Sequence, residues 1–284
     1  MRQRLPNISD QELNLLFERI SDNGGPFWSR GDGDIHAPAG FSTIDVLYVL
    51  GDVGLTPSID DRLIDLVAFL FEYQNSDGSF RYNSKSTKLP CMAGRIAAGL
   101  GRVGAETDTR LETTYKWFLD TQMRDGGWRC NTVKVGRSKL TDASNPGTTL
   151  YILDALRFTQ YPTQHPIALN RAVEFLLRHW ETRLPLGPCD FGIGSRFIRT
   201  EYPTIRYNLL YYVYALSFYE YAQKDARFIH ALDLLANDVK NDMLNVYQPH
   251  HRWRDFSFAI PGEISTLGTK LWFEIIENMR SAES

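Results

Sequence analysis

The sequence predicts an all-α fold, a closed ring of about five to six helical hairpins (an α/α toroid), and three observations predict it. Two segments about 48 residues apart superpose, helix-like runs of two kinds alternate along nearly the whole chain, and one unpaired run of each kind remains at the two ends.

The superposing segments are RLIDLVAFLFEYQNSDGSF from Arg62 and RLETTYKWFLDTQMRDGGW from Arg110. They place Gln74 over Gln122, Asp77 over Asp125, Gly78 over Gly126 and Phe80 over Trp128. Each follows an apolar run, STIDVLYVLGDVG or CMAGRIAAGLGRVG, that ends at Gly54 or Gly104, a natural helix stop. Runs of the second kind carry apolar residues at helical spacing, such as Leu63, Leu66, Val67 and Leu70, and end in an Asp-Gly turn. The rhythm continues through PGTTLYILDALRFT with HPIALNRAVEFLLRHW, then YPTIRYNLLYYVYALSFYEY with DARFIHALDLLANDVKNDM. Beyond these lie a lone second-type helix at the start, DQELNLLFERISDNGGPFW, and a lone first-type helix at the end, ISTLGTKLWFEIIENM. Pairing these two closes the array into one domain over residues 1–284 and leaves no exposed apolar terminal face.

Composition agrees with a chain that buries a sizeable core: 43% hydrophobic and 23% charged. A formal charge of -3, with no long Lys/Arg run, gives no general attraction to nucleic acid phosphates. No stretch of about 18 uncharged apolar residues occurs, and the N-terminal MRQRLPNISDQELNLLF has no signal-like apolar core, so a cytoplasmic protein without a transmembrane segment is expected. Three cysteines, Cys91, Cys130 and Cys189, are too few for a disulfide framework. Aromatic residues make up 13% of the chain, enough to line an apolar cavity as well as to fill a core.

EYQNSDGSF and KWFLDTQMRDGGW resemble the glutamine-tryptophan repeat of squalene cyclases, oxidosqualene cyclases and the β subunits of protein prenyltransferases. The resemblance implies that Gln122 with Trp128, and Gln74 with Phe80, staple one hairpin to the next. The Cys189-Asp190-Phe191-Gly192 and His251-Arg252-Trp253 turns keep only the aromatic residue. The family's cyclases protonate their substrate from an Asp-x-Asp-Asp motif, which this sequence lacks. Asp32-Gly33-Asp34 is predicted as a solvated turn, and Asp60 and Asp61 as helix-capping residues after Pro57-Ser58. The segment VGRSKLTDAS is similar to the prenyltransferase stretch that supplies diphosphate-binding cations and a zinc ligand. On that likeness Arg137 and Lys139 are the cations and Asp142 the ligand, but Ser144 stands where the family has cysteine.

In the repeat frame Cys91, Cys130, Cys189, His250 and His251 fall on one rim. They are soft donors without the spacing of a compact zinc motif, and neither a metal nor another cofactor is assigned. Arg95, Arg206 and Lys270 fall at inner-helix N-terminal turns, where cations suit an anionic head group. Tyr151, Tyr207, Tyr211 and Tyr214 fall deeper along the same helices and suit an apolar tail. The expected partner is thus an isoprenoid-like or amphiphilic small molecule held in a central cavity, either transformed there in the manner of a terpenoid cyclase or prenyltransferase or merely bound. A ring that kept the architecture without its chemistry remains the alternative. A sugar-cleaving carboxylate pair, Asp32 or Asp34 with Asp190 or Glu201, is a third reading.

Overall fold

The computed structural model describes residues 8–86, 88–131, 134, 136, 142–187 and 191–281. Ten helices dominate them: α1 (Asp10–Glu18), α2 (Thr43–Val53), α3 (Arg62–Phe71), α4 (Pro90–Arg102), α5 (Thr109–Thr121), α6 (Pro146–Leu156), α7 (Pro166–Thr182), α8 (Leu209–Leu216), α9 (Ala226–Ala236) and α10 (Thr266–Ser281). The only sheet among the described residues pairs Val239–Lys240 with Met243–Leu244. No helix of the described residues is long and apolar enough to cross a membrane.

The two kinds of sequence run become two environments. Helices α2, α4, α6 and α8 are buried on nearly every side, α6 and α8 along their whole length, while α10 buries one face. A helix without a polar face has to sit inside. Contacts run from α2 to α4, α4 to α6, α6 to α8, α8 to α10, and from α10 to α2. The odd-numbered helices bury one face: α3 buries Leu63, Leu66, Val67, Leu70 and Phe71, while Ile64 stays exposed. α5 packs on α4, α7 on α6 and α9 on α8.

Local signals set the ends of these helices. Ser42 caps α2 in a reciprocal box with Asp45, and Gly54 ends that helix at φ 94°, a left-handed turn that favours glycine. Helix α4 approaches its neighbours through small residues. A Cβ at Gly94 would lie 3.0 Å from the backbone nitrogen of Ile152 on α6. Two runs are shorter than expected. The inner helix predicted to begin near Tyr202 starts only at Leu209, where Asn208 accepts a bond from the backbone N–H of Tyr211; residues 201–207 run outside the helix instead. The last outer helix stops at Ala236 and the chain turns into the small hairpin.

The glutamines at the ends of the outer helices reach forward. Gln74 Nε2 donates to the carbonyl of Arg110 and to Thr114 Oγ1, both on α5 (2.8 Å each). Gln122 Nε2 donates to the carbonyls of Gly126 (2.7 Å) and Ala168 (2.8 Å), the latter at the start of α7. Trp128 Nε1 returns to the carbonyl of Phe118 at 2.7 Å, with the ring fully buried. Phe80 is also fully buried and bridges to Gln74 through the backbone. The N-terminal helix is fastened to the segment before α10: Glu12 accepts from Ser257 N and Oγ at 2.7 Å each, and Arg19 pairs with Asp255 at 3.4 Å.

A polar network crosses the interior where the even helices end. Arg102 on α4 pairs with Asp52 on α2 (2.6 Å) and Asp154 on α6 (2.9 Å). Asp154 also takes Arg157 at 2.6 Å and the Tyr211 hydroxyl at 2.8 Å. Tyr202 donates to Asp52 (3.0 Å), and Tyr214 donates to Glu274 on α10 (2.7 Å). Asp154→Ala takes the carboxylate from buried Arg157 and one of two from Arg102, and is expected to lose about 3–5 kcal/mol in urea denaturation. Gln122→Ala, which removes one bond within its own turn and one to the next outer helix, is expected to lose about 1–2 kcal/mol.

Candidate functional site

A cavity of about 560 Å³ opens at the other end of the even helices, beside the N-terminal turns of α2, α4 and α6. Its wall divides by chemistry. Leu89, Met92, Phe191, Phe197 and Ile205 supply apolar surface, together with the rings of Tyr151 and Tyr207. His36, Asp45, Arg95, Glu201 and His250 supply a polar side.

Asp45 organises that polar side. One carboxylate oxygen caps α2, accepting from Gly40 N (2.8 Å), Ser42 N (3.1 Å) and Ser42 Oγ (2.8 Å). The other takes the Arg95 guanidinium at 2.7 Å, with both side chains almost fully buried. Arg95 therefore stays charged, its pKa raised by Asp45 against the cost of burial, and its Nε has no hydrogen-bond partner among the described residues. His36 Nδ1 is likewise buried without a partner, and burial, then the neighbouring Arg95 charge, pushes its pKa down.

Glu201 is the most unusual group. Its residue is 1% exposed, and its Oε1 is buried without a hydrogen-bond partner among the described residues. Arg206 Nε lies 3.8 Å from that oxygen, too far for a hydrogen bond. Burial lifts the carboxyl to about 8, against the lowering pull of Arg196 and with a smaller raising contribution from Asp45. At pH 7 it carries its proton.

Of the expected ligand-binding residues, Arg95, Arg206, Tyr151 and Tyr207 meet at this cavity. Lys270, Tyr211 and Tyr214 do not line it. Residues 239–265 intervene before α10, and Lys270 gives its ammonium to the carbonyl of Asp52 (2.5 Å) near the C-terminal end of α2, where helix carbonyls lack intrahelical donors. Tyr211 and Tyr214 hydrogen-bond within the polar network at the far end of the same helices. Tyr207, expected on an inner helix, precedes α8 and bonds His179 Nδ1 at 2.9 Å.

Among the described residues no group of three or more His, Cys, Asp or Glu suited to a metal occurs. Cys91, Cys130 and His250 line the cavity, His251 stacks on His250 with ring centroids 4.4 Å apart, and Cys189 lies outside the described residues. The zinc-like stretch fits no better. Arg137 and Lys139 lie outside the described residues, Asp142 accepts from Gly136 N (2.8 Å), and Ser144 gives its hydroxyl to Asp125 (2.6 Å). A hydroxyl so engaged is no thiolate donor for zinc. Among the described residues, the sugar-cleaving candidates do not come together at the cavity. Asp32 is bound to Arg30, Asp34 accepts from His36 N and Ala37 N, neither lines the cavity, and Asp190 lies outside the described residues. Asp60 pairs with Arg62 at the start of α3.

Of the cavity's charged residues, Asp45 went unrecognised in the sequence and Glu201 was named only for a sugar-cleaving pair. Laying STIDVLYVLGDVG over CMAGRIAAGLGRVG places Asp45 over Arg95 and Asp52 over Arg102, so opposite charges at matched inner positions were the available signal. Glu201 as the buried acid of an apolar cavity had no such signal, since it lies in the irregular segment before α8.

No family model matches the chain, and no curated protein matches it. Among solved structures it is similar to a polysaccharide lyase, at 14% identity over 96% of this chain and 67% of that one, with a TM-score of 0.44. It is also similar to a type II terpene cyclase from Scytonema in complex with its substrate geranylgeranyl dihydroxybenzoate, at 14% identity over 96% of this chain and 84% of that one, with a TM-score of 0.47. Function is therefore read from the cavity itself.

The raised Glu201 pKa has a thermodynamic signature. Between the unfolded value of 4.5 and the folded value of about 8, the unfolded chain gives up this proton and the folded chain keeps it, so stability falls as pH rises through that window. Glu201→Gln removes the penalty. The variant is expected to match the native protein near pH 4.5 and to exceed it by about 3 kcal/mol at pH 7 in denaturant titrations.

Proposed function

We propose that the chain is a closed α/α toroid that binds an isoprenoid-like or otherwise apolar ligand in this cavity and acts on it by proton donation from Glu201. The closing contact of α10 on α2 supports the ring, and the aromatic and aliphatic wall supports the ligand class. One observation carries the catalytic part: a carboxyl 1% exposed, with Oε1 lacking a hydrogen-bond partner among the described residues, lines a largely apolar hollow, where burial lifts it to about 8.

The value of about 8 constrains the chemistry. An acid of that strength is available at pH 7 but is too weak to protonate an isolated alkene, so its partner is an oxygen of the ligand, whose bond to carbon weakens as it takes the proton. Arg95, in the same wall, sets a fixed positive charge beside the ligand. Tyr151 and Tyr207, whose hydroxyls are pushed upward by burial, stay neutral and offer ring faces to positive charge developing on carbon.

Mass spectrometry of lipid extracted from the purified protein identifies candidate ligands. With such a ligand, Glu201→Gln is expected to keep binding within a few-fold while turnover falls by about a hundredfold or more. Turnover in the native protein is expected to decline above pH 8 as Glu201 ionises. A ligand bound equally by both proteins and changed by neither favours the non-catalytic ring. Turnover unaffected by the substitution removes Glu201 from the mechanism.

A further inference from the structure

Next to the cavity lies a second, shallower concavity of about 620 Å³, and the two share Arg196, Arg206 and His250 in their walls. Arg199, Arg254 and His251 complete its basic lining, and no carboxylate lines it among the described residues. Its two sides are tied by the Tyr247 backbone N–H donating to the carbonyl of Thr200 at 2.9 Å.

Four guanidinium groups around one hollow are unexpected in a chain of net charge -3. Most arginines elsewhere have carboxylate partners, including the exposed Arg30, Arg62 and Arg110. Here Arg196, Arg199 and Arg254 form no ion pair among the described residues, and the carboxyl beside Arg206 belongs to Glu201. Asp255, adjacent in sequence, is engaged by Arg19. Like charges collected without counter-charge repel one another, and a ligand that supplies the missing charge relieves that repulsion.

We propose that this vestibule binds a phosphate-type oxyanion, gripped by Arg196, Arg199, Arg206 and Arg254. Guanidinium forks match the oxygen geometry of a phosphate and remain charged at every relevant pH. The oxyanion is either free or the head group of an amphiphile whose tail enters the cavity; the second case rests on the ligand class proposed above, and the site itself does not. His250, on the shared wall, reports occupancy. Burial, His251, Arg252 and Arg196 hold its pKa down, with Asp45 opposing them, and a bound anion reverses part of that depression.

The test is calorimetry on the full chain at fixed ionic strength, with inorganic phosphate and with alkyl phosphates of increasing chain length. The native protein is expected to bind inorganic phosphate saturably and to raise the His250 pKa measured by NMR. The Arg199→Gln/Arg254→Gln double variant, altered only at exposed side chains, is expected to keep its melting temperature and bind about tenfold more weakly or worse. Affinity that rises about twofold to fourfold per methylene assigns the oxyanion to an amphiphile, and chain-independent affinity assigns it to a free ion. Phosphate binding unchanged in the double variant, or no saturable binding of any of these probes, overturns the site. Glu201→Gln is expected to retain phosphate binding, so failure of the proton-donor reading and failure of this one are told apart.

Discussion

Two buried ion pairs of the same spacing set the geometry on which the rest depends. Asp45 and Asp52 stand seven residues apart on α2, Arg95 and Arg102 stand seven apart on α4, and each Asp meets its Arg. Seven residues are two helical turns, so both pairs lie on the one seam where the helices touch. A slide or rotation of α4 against α2 breaks both pairs at once and leaves four charges in the core, a penalty far above that of repacking aliphatic side chains. The glycines make such pairing sterically feasible: a Cβ at Gly51 would run into Arg102 itself.

The two pairs serve different ends of the interior. Arg102 has two carboxylate partners, while its Nε, like that of Arg95, has no hydrogen-bond partner among the described residues. Arg102 joins Asp52 and Asp154, and through their tyrosine and arginine partners the network reaches α8 and α10. Arg95 has one carboxylate partner and stands in the cavity wall. The doubly paired arginine ties one end of the interior, and the singly paired one contributes to a binding wall at the other. The residues expected as ligand contacts but found elsewhere, Tyr211 and Tyr214, belong to the doubly paired end.

The helical rhythm was legible because it is a periodic signal reinforced by repetition. Gln74 and Gln122 recur at matched positions, and each bonds the following outer helix. The cavity was half legible. Arg95, Arg206, Tyr151 and Tyr207 could be placed near helix starts by counting along the repeat, but counting assumes equal helices. It failed for Lys270 because residues 239–265 form a hairpin and two single-turn helices before α10 begins. It could not reach Glu201, because residues 201–207 follow no period and their course is set by tertiary contacts such as Tyr202 with Asp52.

That irregular segment explains why the acid can exist at all. A carboxyl near several arginines is ordinarily held ionised, as Asp32 is by Arg30, which brings it down to about 2. Glu201 escapes because burial outweighs the pull of Arg196, and Arg206 stands beyond hydrogen-bond range. Asp45 thus caps α2, fixes Arg95 and, as a nearby negative charge, adds to the forces that hold the proton on Glu201.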